Sequence, residues 1–91
     1  MKSIKVTRGE YHNEGKNAAA IAEMFGVSPE RFDVFCRRGH FIKPFGMLPD
    51  TDIPGWRTLD VLKWAANQAG VTLGTAIKKY EAGKLRQLIT L

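Results

Sequence analysis

The stretch from Ile21 to Trp64 constrains the fold of this 91-residue chain more than any other part of it. Two short segments with apolar stripes are joined by Gly26-Val27-Ser28-Pro29. They are followed by Arg37-Arg38-Gly39, a run rich in Pro, Gly and Asp, and a third helical segment ending near Gly70. Asn17 is placed to cap a helix over Ala18–Phe25, in which Ile21, Met24 and Phe25 form a stripe among helix-favouring alanines. Gly26 suits the left-handed residue that ends a helix. Ser28 can accept from an amide of the next first turn, and Pro29 is pre-set for the first helical position. The second helix is expected to run to about Arg38. Phe32, Phe35 and Cys36 share its core face, Pro29, Glu30, Asp33 and Arg37 lie opposite, and Arg31 and Val34 stand towards the flanks. Arg31 occupies the position where Glu or Gln would complete a capping box.

The continuation reads as a hairpin. Phe41 to Met47 is short and apolar, Pro49–Gly55 is a run of turn formers with the tip near Asp50–Pro54, and Trp56–Arg57 returns the chain. Thr58 is expected to cap a third helix with Asp60 in its first turn. Leu59, Leu62, Ala66 and Ala69 would line one face of it, with Val61 and Ala65 beside them. Thr72 would cap a fourth helix with Leu73, Ala76, Ile77 and Tyr80 inward. Gly83 leaves two outcomes open: the helix continues across it at a cost of about 1 kcal/mol, or it ends there and a short apolar tail docks elsewhere. Upstream, Ile4–Val6 could form an edge strand, and Glu10–Gly15 reads as a loop.

The expected fold is mainly α with a small β-hairpin: two helices with a short Gly-containing link, then a hairpin, then a helix. That order describes a winged helix-turn-helix, whose natural partner is duplex DNA. Residues 1–16 would be an N-terminal strand or arm, 17–70 the DNA-binding domain, and 71–91 a C-terminal helix and apolar tail.

Ninety-one residues suffice for one core and leave too little apolar area for two. No apolar run approaches the roughly 20 residues of a membrane span, and no apolar signal core opens the chain. The single Cys36 has no disulfide partner and no metal-ligand spacing, so the default compartment is a reducing cytoplasm. The net charge of +5 favours an anionic partner, but it is unevenly placed. Residues 1–16 carry +2 and residues 71–91 carry +3, while 17–70 is neutral. A DNA-binding surface therefore requires local segregation of charge in the middle, aided by basic ends.

Residues 20–66 resemble the excisionase and AlpA-type winged-helix regulators of phages and mobile elements, which are related to the MerR DNA-binding fold. The resemblance rests on Ile21–Phe25, Gly26-Val27-Ser28, Arg37-Arg38-Gly39 with Phe41, Trp56, and Leu59–Trp64. It departs from the family pattern at Ile42, where Pro is common, in a longer wing, and in Glu30, Asp33 and Val34, where polar or basic residues are commoner. The resemblance implies a non-enzymatic regulator that acts as an excisionase, a transcription factor or both, with a recombinase as partner.

In such a fold the second helix enters the major groove. Ser28 caps it and belongs to the expected DNA-binding set, Arg31 reaches guanine, and Glu30 or Asp33 accepts from cytosine. Arg37, Arg38 and Lys43 take phosphates, and Arg57 approaches the backbone or minor groove from the wing. Lys78, Lys79, Lys84 and Arg86 either extend the phosphate footprint or form the wet face of a helix. Leu85, Leu88 and Ile89, with Leu91, either contact a second subunit, giving a homodimer or a cooperative oligomer on DNA, or close the core. Trp56 and Trp64 are expected to pack the hairpin and third helix against the core, and His40 and His12 to lie at the surface. No phosphate loop, nucleophile constellation or paired acids suggests catalysis, and no cofactor or metal is implied. Two other functions fit the same pattern: a DNA-recognition unit like that of a terminase small subunit, and a protein-interaction module acting as inhibitor or adaptor.

Overall fold

The computed structural model describes Tyr11 and residues 13–91. The strand expected at Ile4–Val6 and the surface position expected for His12 lie outside the described residues. Among the described residues, the elements with defined bounds are a three-stranded antiparallel sheet and helices in the order β1 (Gly15–Lys16), α1 (Ala18–Met24), α2 (Pro29–Arg37), β2 (Gly46–Met47), β3 (Pro54–Arg57), α3 (Thr58–Ala69) and α4 (Leu73–Glu81). A 3-10 turn at Leu85–Gln87 follows.

Helix boundaries follow local chemistry. The Asn17 side chain accepts from the Ala20 amide at 2.9 Å, Ser28 from Arg31 at 3.1 Å, and Thr72 from Thr75 at 3.2 Å. Each helix ends at a glycine with positive φ, namely Gly26, Gly39, Gly70 and Gly83. At Gly26 the amide bonds Glu23 and the next amide, from Val27, bonds Ala22, the paired closure of a Schellman motif. Gly83 closes α4 in the same way, so the fourth helix stops there and does not run on.

Thr58 is not the cap of α3. Arg57 holds that position without a side-chain cap bond, and Thr58 is the first helical residue, fully buried. Its amide donates to the Glu14 carbonyl at 2.8 Å and its hydroxyl to Glu14 Oε2 at 3.0 Å. A buried hydroxyl needs a partner, and here the partner comes from the segment before α1.

That segment is where the structure departs most from the sequence-based expectation. Gly15, expected in a loop, pairs with Arg57, and Lys16 pairs with Trp56, so β3 is the middle strand. On its other side β3 pairs Gly55 with Gly46 and Pro54 with Met47. A two-residue strand has too little alternation to be read from sequence. The glycines of β1 and β3 make room for one side chain: a Cβ on Gly15 would lie 2.8 Å from Leu48 Cδ2, and one on Gly55 would overlap the same atom.

The core lies between α1, α2, α3 and the sheet. Ile21, Phe32, Val61, Leu62 and Leu85 are fully buried at its centre. Phe41 packs edge-on against Phe32 and Trp64, with ring centroids 5.0 and 4.7 Å away. Trp56 is buried and donates from Nε1 to the Ile42 carbonyl at 2.9 Å, which fastens the hairpin base to the irregular segment that follows α2. Leu85 joins this cluster from the C-terminal segment, and Leu88 and Ile89 pack half-buried against it. Leu85 is therefore committed to closing the core, with no exposed surface left for a second subunit.

Candidate nucleic-acid interface

Helix α2 is buried along one edge only. Phe32 is completely covered, and Phe35 and Cys36 are half-covered. Glu30, Arg31, Asp33, Val34, Arg37 and Arg38 are all exposed. At 100° per residue, Glu30, Val34 and Arg37 form the outward strip. Arg31 and Arg38 border it on one flank and Asp33 on the other.

The two flanks differ. On one, a groove between α2 and the hairpin is lined by Asp33, Cys36, Lys43, Ile53 and Pro54 above the buried Phe32 and Trp56. The opposite groove is lined by Glu30, Arg31, Val34, Arg38, His40 and Leu91. Arg31 donates from Nε at 3.1 Å and from Nη2 at 2.9 Å to the backbone oxygen of Leu91. Two of its five donors are therefore occupied. Asp33 and Arg37 are paired at 3.0 Å one helical turn apart, with side chains 63% and 71% exposed, so water screens the pair and it is easily exchanged for another partner. No carboxylate among the described residues pairs with Arg38 or Lys43.

Arg57 leaves β3 with its guanidinium over the Phe45 ring, 3.4 Å from the centroid. Phe45 is itself exposed, as are Met47 and Ile53 on the same hairpin. Phe45 was not legible as a support for Arg57. The two meet because the Phe45 amide bonds the Gly55 carbonyl at 2.9 Å, a register that only the folded hairpin fixes. The hairpin turn is held by Thr51, whose hydroxyl donates to the Leu48 carbonyl at 2.8 Å and accepts from the Ile53 amide at 3.1 Å.

The shifted titrations lie mostly away from this surface. Burial alone would raise the Glu14 carboxyl, but hydrogen bonds from Lys16 and Thr58 outweigh it and its pKa falls below the ordinary value. Lys16, 2.8 Å from Glu14, is raised for the converse reason. Burial and the hydrogen bond to Glu81 push the Tyr11 phenol well above its usual range. Cys36, at the edge of the α2 groove, is raised by burial and then by Asp33, which disfavours the thiolate a nucleophile would need. His40 is exposed beside Phe35, with ring centroids 5.4 Å apart. Among the described residues no cluster of His, Cys, Asp and Glu could hold a metal ion, and no helix is long and apolar enough to cross a membrane.

The fold thus brings Glu30, Arg31, Asp33 and Arg37 together on α2 with Ser28 and Arg38 as its caps, Lys43 beside one groove and Arg57 on the hairpin. Chemically, the surface offers guanidinium and ammonium donors to an anion, interleaved with two carboxylates. Compared with protein-family models, with curated proteins and with solved structures, the chain matches none.

Proposed function

We propose that this chain is a sequence-specific double-stranded DNA-binding protein of winged helix-turn-helix form. In this reading α1 and α2 are the helix-turn-helix, α2 lies in the major groove, and the β2–β3 hairpin is the wing. The observation that carries it is the outward face of α2. Six exposed side chains, three of them arginines, stand on a helix whose other edge is fixed by Phe32 in the core. Arg37 and Arg38 take backbone phosphates, while Glu30 and Asp33 discriminate against wrong bases, because a carboxylate near phosphates is tolerated only where it accepts from a base donor.

The biological role that fits best is control of a phage or mobile element, as a recombination directionality factor, a transcriptional regulator or both. One small domain reads few base pairs, so repeated sites and cooperative binding supply the remaining specificity. A second reading, a protein-interaction module, draws support from the exposed Phe45, Met47 and Ile53 of the hairpin.

Binding of the purified chain to fragments of its own genomic neighbourhood, titrated with salt, tests the proposal. Site-selective binding that weakens with salt and is lost in an Arg37→Ala/Arg38→Ala variant supports it. Equal, weak binding to every fragment overturns it and favours the protein-interaction module.

A further inference from the structure

The C-terminal segment lies beside the α1–α2 turn, and its placement has a specific cause. Leu85 is 1% exposed and seats the 3-10 turn in the core. The neighbouring Arg86 is exposed, and its stem is laid over Gly26. A Cβ on Gly26 would come within 2.8 Å of Arg86 Cδ and 3.5 Å of Nη1. Gly26 therefore does two things: its φ of 69° ends α1, and its missing side chain lets an arginine from the far end of the chain rest on the turn. Beyond it, Leu91 accepts two hydrogen bonds from Arg31 of α2. The segment is thus held at both ends, against the turn and against α2. No carboxylate among the described residues pairs with Arg86.

We infer that Arg86 is a phosphate-contacting residue of the DNA interface, so that the interface extends beyond the helix-turn-helix to the segment folded beside it. This rests on the DNA-binding reading. With α2 in the major groove, the turn before it faces the sugar-phosphate backbone, and the guanidinium held over Gly26 offers its fork to phosphate oxygens there. Arg31 and Arg38 continue the same flank along α2, with Glu30 the carboxylate on that groove. The opposite groove sets Lys43 against Asp33. Backbone contact is therefore stronger on the side of the C-terminal segment. Of Lys78, Lys79, Lys84 and Arg86, we single out Arg86 because its stem supplies the side-chain atoms nearest to Gly26 in the turn.

The test compares the full chain with Arg86→Gln, which keeps most of the stem, and Arg86→Lys, which keeps the charge. Affinity for the selected duplex and for a random-sequence duplex is measured against sodium chloride concentration. The expected result is a slope of log K against log salt that is shallower by about 0.9 in Arg86→Gln, the same on both duplexes, and restored in Arg86→Lys. If the full chain binds with a steep salt dependence that Arg86→Gln leaves unchanged, this inference is overturned and the DNA-binding reading stands. It is overturned equally if affinity drops at every salt concentration with the slope kept, since Arg86 would then act by packing alone. If the full chain shows no salt-dependent duplex binding, the DNA-binding reading falls first and the inference with it.

Discussion

Arg31, in the first turn of α2, donates two hydrogen bonds to the backbone oxygen of Leu91, which lies 60 residues further along the chain. The contact joins the helix proposed to read DNA to a segment outside the helix-turn-helix. Leu91 is nearly buried, so its side chain anchors the acceptor that Arg31 uses. Arg31→Ala should lower stability by about 1 kcal/mol, the scale of a partly exposed charge-assisted hydrogen bond. Leu91→Ala should cost about 2 kcal/mol through lost packing. Urea unfolding of the two single variants and the double variant should show coupling between them. Strictly additive losses would mean that the contact contributes nothing.

Gly55 and Leu48 should be coupled in the same manner. Gly55→Ala drives a methyl group into Leu48 Cδ2 and to 2.7 Å from its Cγ, so the leucine must leave its seat over the sheet. The expected cost is about 1–3 kcal/mol. Adding Leu48→Ala to Gly55→Ala should recover part of it, because the clash disappears. A Gly55→Ala variant as stable as the parent chain would contradict the packing described.

Arg57 is held over the Phe45 ring at 3.4 Å, and Phe45 is 64% exposed. Phe45→Ala should cost under about 1 kcal/mol, since a ring already in water loses little on removal. In the DNA-binding reading the same change loosens Arg57 and weakens duplex binding, and Arg57→Ala weakens it further with a shallower salt dependence. Phe45→Ala leaving affinity untouched would remove the ring from any supporting part in the interface.

Asp33 and Arg37 form an exposed pair, so Asp33→Asn should change stability by no more than about 0.5 kcal/mol. It also releases Arg37 and removes a negative charge from the outward face. Binding to random-sequence duplex should tighten, while discrimination between cognate and random sites should narrow. Unchanged discrimination would place Asp33 outside base recognition.

Stability should fall at both ends of the pH scale. Glu14 has a folded pKa below the ordinary value of 4.5, so its contribution is present above that pH and is lost as pH falls through the folded value. Lys16 and Tyr11 have folded values above 10.5 and 10.0, so their contributions are present below those points and are lost as pH rises through the folded values. Urea midpoints across the pH range should show a plateau with two declining limbs. Glu14→Gln should flatten the acid limb, and an acid limb that survives that change intact would assign the decline to other carboxylates.

Sequence alone determined the features whose physics is local. The caps at Asn17, Ser28 and Thr72 bond amides three residues away, and the stops at Gly26, Gly39 and Gly70 depend on one backbone conformation. Core periodicity in α2 likewise needs only the spacing of Phe32, Phe35 and Cys36. These set the helix order and the face that α2 leaves in water. The tertiary structure decided everything that joins distant residues. Thr58 reads as a cap by type, but its hydroxyl serves Glu14, 44 residues away. Gly15 reads as loop because its strand partner, Arg57, lies across the fold. Arg31 reads only as an exposed candidate for base contact, and the fold adds its two bonds to the Leu91 backbone oxygen; Arg86 reads as one basic charge among four until Gly26 gives its stem a seat. Local propensity acts over a few bonds of chain, whereas these contacts exist only once the core has brought stretches far apart in sequence side by side.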